Sequence, residues 1–175
     1  AGHFSGRSRS KALADILTVG TSAGGARAKA VIAWNRQTNE VRSGQLPAGD
    51  GFTYWLLKFD GVAGNRDKEL EDPQGYGAIE YAYALMAEAA GIAMTECRLL
   101  EEHGRRHFMT RRFDRAEDRR IHLHSLGGMR HVDYNQPGSF SYEEYLRTVL
   151  ALGLGYPAVE EAFRRTAFNL ATVNQ

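Results

Sequence analysis

Four groups of residues in this chain could hold or steer a nucleotide. The first is "GTSAGGARAKAVI", residues 20–32, where three glycines stand beside Arg27 and Lys29, ahead of an apolar run. Glycine lets the main chain approach an anion closely and adopt conformations other residues avoid. The spacing matches neither common nucleotide loop. After Gly20-x4-Gly25 come Ala26 and Arg27 rather than Lys and Ser/Thr, and Gly20, Gly24 and Gly25 do not make GxGxxG. The second is Lys58 in "YWLLKFDG", a cation near the end of an apolar run. Burying an unpaired ammonium is costly, so Lys58 must find an anion or leave the core.

The third is Glu80, in the helix-forming stretch that follows. A strand lysine held by a helix glutamate is how kinase-type sites aim a cation at nucleotide phosphates. The fourth is "HFMTRRFDR", an extended segment placed where a kinase hinge would offer main-chain groups to adenine. Each group has a plain alternative. A glycine-rich turn can be only a turn, a strand lysine can sit at an edge with its head in water, and a helix glutamate is usually solvated. Their order along the chain is what makes them one candidate.

The elements that must position these residues follow from pattern. Residues 11–17 read as a short amphipathic helix after a basic leader. "RAKAVIAW", residues 27–34, reads as a strand, "NRQTNEVR" as a hairpin, and "FTYWLLKF" as a central strand. Between strands, "SGQLPAGDG" is a loop by its glycines and proline. Residues 61–77 are polar and glycine-punctuated, the composition of a mobile surface loop. The spacing predicts a helix over residues 76–90, stopped at Gly91, with Ile79, Ala82, Tyr83 and Met86 as its apolar stripe. Two strands joined by a turn at residues 102–104 come next, then a short strand "RIHLH". Two amphipathic helices follow, "SYEEYLRTVLALG" and "AVEEAFRRTAFNLATVNQ", the first opening on a capping box of Ser141 and Glu144. The class is α+β, an antiparallel sheet with one inserted helix and then helices alone.

Composition is that of a folded domain: 43% of the 175 residues are hydrophobic and 25% charged, which excludes general disorder. A net charge of +1 leaves no broad surface for polyanions. The single cysteine, Cys97, rules out an internal disulfide framework and suits a reducing cytoplasm. No apolar run reaches membrane-spanning length, and a start at Ala1 suggests an upstream piece is missing. His122 and His124 share a strand face in this reading, but a zinc site would need a third ligand. The arginines of "GRRHFMTRRFDR" could meet DNA or a partner, although alternate arginines on a strand pair would simply face solvent.

The stretches "TSAGGARAKAVI", "WLLKFDG", "YGAIEYAYALMAEAAGI", "RRFDR" and "FNLATVNQ" resemble the HipA-like serine/threonine kinases of bacterial toxin–antitoxin systems, over nearly the whole chain. The resemblance implies a kinase-like N-lobe over residues 1–115 and the first helices of a helical C-lobe over residues 116–175. It implies binding of ATP and Mg2+ and phosphorylation of protein hydroxyls, in studied members on translation-associated targets. It also implies restraint by a DNA-binding antitoxin of the HipB type, with DNA reached only through that partner and no membrane involved.

Residue by residue, Gly24, Gly25 and Ala26 match the family's phosphate-side loop, and Lys58 its ATP-phosphate lysine. Glu80 matches the positioning glutamate, the main chain of Arg111 and Phe113 the adenine hinge, and Ser22 the autophosphorylated serine whose modification ejects the loop. Arg111 departs from the family, which often has an acidic residue before "RFDR". The larger departure concerns the Asp-x-His-x-Lys-Asn catalytic loop that follows "FNLATVNQ" in the family. That loop is expected beyond Gln175, so no catalytic residue is assigned, the C-lobe is expected to be truncated, and the chain as given is expected to be inactive. The competing reading is a non-catalytic module whose kinase-like lobe binds a partner protein or nucleic acid.

Overall fold

The computed structural model describes residues 2–3, 29–61, 75–102, 104–116, 119–133 and 135–173. No helix among them is long and apolar enough to cross a membrane. The expected helix at residues 11–17 and most of the loop at 61–77 lie outside the described residues.

The sheet is built from β1 (Gly2–His3), β2 (Lys29–Asn35), β3 (Glu40–Ser43), β4 (Phe52–Lys58), β5 (Cys97–Glu102) and β6 (Arg105–Arg111). Helix α1 (Tyr76–Ala89) falls between β4 and β5. Spatial order is β1-β5-β6-β4-β2-β3, antiparallel throughout except for the two-residue β1 on the edge. This is the antiparallel sheet with one inserted helix that the sequence leads one to expect. The β2–β3 hairpin turns on Asn35, whose side-chain oxygen accepts the N–H groups of Gln37 and Thr38, while Asn39 takes the left-handed conformation. Gly104, with φ of 76°, closes the β5–β6 turn where L side chains are strained.

Alternation divides each strand between two faces. On one face Ile32, Trp34, Trp55, Leu57, Leu100 and Met109 form the main core cluster. The two tryptophans meet edge to face at 5.7 Å, and their indole N–H groups donate to Asn39 and Thr53, so neither buried polar atom is stranded. The opposite face of β4 carries Tyr54, Leu56 and Lys58.

The inward face of α1 differs from the predicted stripe. Ile79 and Met86 are about half exposed and Ala82 is exposed, whereas Gly77, Ala84 and Ala87 are buried. The reason is close approach. A Cβ built on Gly77 would lie 1.9 Å from the Arg106 carbonyl oxygen, so the first turn meets β6 backbone to backbone, leaving no room for a long side chain. Glu80 falls on this small-residue face.

After β6 a two-residue ladder joins β7 (Arg115–Ala116) to β8 (Arg119–Arg120). The strand expected through "RIHLH" stops at Arg120; residues 121–125 are irregular. The sequence reading missed α2 (Leu126–Arg130), a single short helix capped by Ser125. Helices α3 (Tyr142–Ala151) and α4 (Tyr156–Ala171) form as expected, and α3 opens on the Ser141–Glu144 capping box. The chain divides into two compact units, residues 1–85 with 94–121, and residues 86–93 with 122–175. In the second unit Glu161 of α4 accepts the Ala93 N–H, and Arg165 donates to the Ala93 carbonyl.

Candidate functional site

Lys58 ends β4 on the face that α1 covers. Its Nζ lies 2.8 Å from Glu80 Oε2, with the side chains 35% and 25% exposed. Phe108, directly opposite Lys58 in the β4–β6 ladder, places its ring centroid 5.9 Å from the same ammonium. The lysine head is therefore partly exposed, held by a carboxylate on one side and a ring on another. Such a cation remains able to meet an external anion.

A second cation flanks it. Lys29 opens β2 and is the cross-strand partner of Lys58 in the β2–β4 ladder. Like charges opposite one another are unfavourable, so this pairing does not by itself favour the register. The alternation in "ARAKAVIAW" carried Lys29 in the sequence, but only the strand register puts it opposite Lys58.

The hinge candidates close the other end of the same ladder. Arg111 is the partner of Trp55, and Phe108 the partner of Lys58, so the hinge stands three residues along β6, about 10 Å, from the lysine. Main-chain groups here are partly committed. The Arg111 N–H donates to the Glu96 carbonyl and the Arg112 N–H to that of Tyr54, both at 2.8 Å. Adenine recognition by Arg111 would therefore have to use its carbonyl. The Phe113 side chain is exposed.

What fixes this turn was not anticipated. Asp114 is buried, and its carboxylate takes a two-point contact from Arg112 and a further one from Arg115 at 3.0 Å. The hydrogen bonds from Arg112 hold its carboxyl below the ordinary value of 3.8, against the opposing effect of burial. Two of the five clustered arginines are thus structural, while Arg105, Arg106 and Arg111 are exposed. Asp133 lies in an exposed turn where it accepts from Asn135.

Ser22, Gly24, Gly25 and Ala26 lie outside the described residues. His122 and His124 face each other with ring centroids 6.2 Å apart. Among the described residues no group of three or more His, Cys, Asp or Glu could hold a metal ion. Of the sequence-assigned residues, then, the structure brings Lys58 and Glu80 into contact and sets Arg111 and Phe113 at the far end of the ladder.

No curated protein and no solved structure matches the chain. The model of the HipA-like C-terminal domain matches residues 21–175, from the glycine-rich loop through α4. The chain belongs to the HipA-like C-terminal domain family.

Proposed function

We propose that this chain carries the nucleotide-binding part of an ATP-dependent protein serine/threonine kinase. The observation that carries the reading is the Lys58–Glu80 ion pair at 2.8 Å, formed between a central strand and the helix inserted between β4 and β5. In kinase-type sites this pair holds a lysine against the nucleotide phosphates, where transfer depends on positioning and on neutralising charge. Lys29, opposite Lys58, supplies a second cation on the same face. The carbonyl of Arg111 and the main chain of Phe113 are assigned to adenine.

The loop with Gly24, Gly25 and Ala26 is assigned to the phosphates on its sequence alone. ATP would bring Mg2+ with it, and no described residue is assigned as its ligand. The acceptor is a serine or threonine hydroxyl of a translation-associated protein, and the restraining partner a DNA-binding antitoxin of the HipB type.

Ser22 is proposed as a self-modified switch. A phosphate there adds nearly two negative charges where nucleotide phosphates would lie, and Arg27 and Lys29 are close in sequence to receive it. The test is transfer of labelled phosphate from ATP by the full-length protein, with Lys58→Met in parallel and mass spectrometry of the product. Label on Ser22 in the parent, and none in Lys58→Met, is the expected result. Equal transfer by both would remove Lys58 from the site; modification elsewhere but never at Ser22 would end the switch.

A further inference from the structure

Two residues beyond Lys58 lies Asp60, a carboxylate 3% exposed that phosphate binding does not itself require. Its two oxygens accept the Gly75 N–H at 3.0 Å each, and one accepts the Gly77 N–H at 3.4 Å. Helix α1 begins at Tyr76, so these donors belong to the helix start, where N–H groups have no partner within the helix. A carboxylate there also meets the positive end of the helix dipole. The cap comes not from the residue before the helix but from the end of β4.

Asp60 is anchored in turn through its main chain. Its N–H donates to Nδ1 of His107, buried on β6, at 2.9 Å. That bond requires a ring with Nδ1 unprotonated. His107 precedes Phe108, the cross-strand partner of Lys58. One residue therefore ties the end of β4, the start of α1 and the middle of β6 together, one helical turn from Glu80.

We propose that Asp60 is the positioning residue of this site: by fastening the first turn of α1 to the strand that bears Lys58, it keeps Glu80 within ion-pair reach of the ammonium. Asp60 touches no nucleotide and acts only through Glu80. The Lys58–Glu80 pair cannot hold the helix by itself, because it is partly exposed, screened by solvent and built on a long flexible lysine stem. A buried carboxylate accepting main-chain N–H groups makes charge-assisted bonds, about twice as strong as neutral ones. Its close neighbour Gly77, packed on the Arg106 carbonyl, leaves the first turn one seat on the sheet.

The proposal rests on reading Lys58 as a phosphate-binding cation, and its test separates the two. In the full-length protein, affinity for a non-hydrolysable ATP analogue with Mg2+ is measured by calorimetry for Asp60→Asn, Glu80→Gln and the double variant. The rate of Lys58 acetylation by an N-hydroxysuccinimide ester is followed in parallel, without nucleotide. Asp60→Asn is expected to weaken binding a few fold, no more than Glu80→Gln does, with no further loss in the Glu80→Gln background, and to speed Lys58 acetylation as Glu80→Gln does. Equal loss in both backgrounds, or unchanged acetylation, overturns the positioning role. Unchanged binding by Lys58→Met, with acetylation still accelerated in Asp60→Asn, fails the nucleotide reading and leaves Asp60 as the residue that sets the pair. Should Asp60→Asn not fold, Asp60→Glu, which keeps the charge and displaces the carboxylate by one methylene, is measured the same way.

Discussion

Lys58 Nζ stands 2.8 Å from Glu80 Oε2, a contact between a central strand and the inserted helix on the face opposite the main core. The two residues differ in what they would lose on substitution. On the proposed nucleotide reading, Lys58→Met removes a charge-assisted contact to phosphate, about 1.5–3 kcal/mol, so ATP affinity should fall by tenfold or more. Glu80→Gln removes only the partner of a partly exposed pair, roughly 0–1 kcal/mol, and should cost a few fold. Calorimetric titration of the two variants checks the ranking; a larger loss from Glu80→Gln would reverse the roles.

Gly77→Ala should destabilise the fold although it adds a single methyl to a helix. The new Cβ would stand 1.9 Å from the Arg106 carbonyl, a fixed backbone atom that cannot swing away. Overpacking of this kind costs about 1–3 kcal/mol, which outweighs the gain of about 1 kcal/mol that alanine usually brings to a helix. Denaturant unfolding measures the balance. A Gly77→Ala protein as stable as the parent would mean that α1 is seated less closely on β6.

Asp114→Asn should destabilise the turn after β6 by about 3 kcal/mol, the low end for breaking a buried pair. Arg112 keeps 22% of its side chain exposed and can recover some solvation, but it and Arg115 would then face each other without a shared anion. The same geometry sets an acid limit. Because Asp114 is held below 3.8 when folded, its contribution is complete above that pH and is lost as the pH falls from there toward the folded value. Equilibrium unfolding between pH 5 and 2, parent against variant, should show the parent's steeper acid slope vanish in Asp114→Asn.

His107 gives a second window. Burial lowers its pKa from the ordinary 6.5; the charge of Asp60 works against this, and that of Arg105 adds to it. The unfolded chain therefore takes up the proton first. Stability from a neutral His107 is fully present above about pH 6.5 and is lost as the pH falls from there to the folded value. A protonated ring would also lose the acceptor that holds the Asp60 N–H. Urea midpoints measured from pH 8 to 5 should fall less steeply for His107→Gln than for the parent. Parallel curves would place the pH dependence on other groups.

The sequence by itself determined strands β2 to β6 and helices α3 and α4, because each rests on local signals, while the order of lysine strand and glutamate helix pointed to the Lys58–Glu80 pairing. Alternation in "FTYWLLK" set β4, the serine and glutamate of "SYEE" set the start of α3, and a lysine in an apolar run had to find an anion or leave the core. "RIHLH" misled for the same reason: its alternation promised a strand, but regular pairing with β7 ended at Arg120.

Only the tertiary structure decided which face of α1 points inward. Apolar spacing favoured Ile79 and Met86, yet backbone contact at Gly77 selected the small face that also carries Glu80. Register decided that Lys29 stands opposite Lys58, since a slip of one residue would turn it to the other side of the sheet. The long-range partners of Asp60 and His107 were likewise beyond pattern reading. A carboxylate that caps a helix from a distant strand leaves no periodic trace, because its partners are main-chain N–H groups, which every residue but proline possesses.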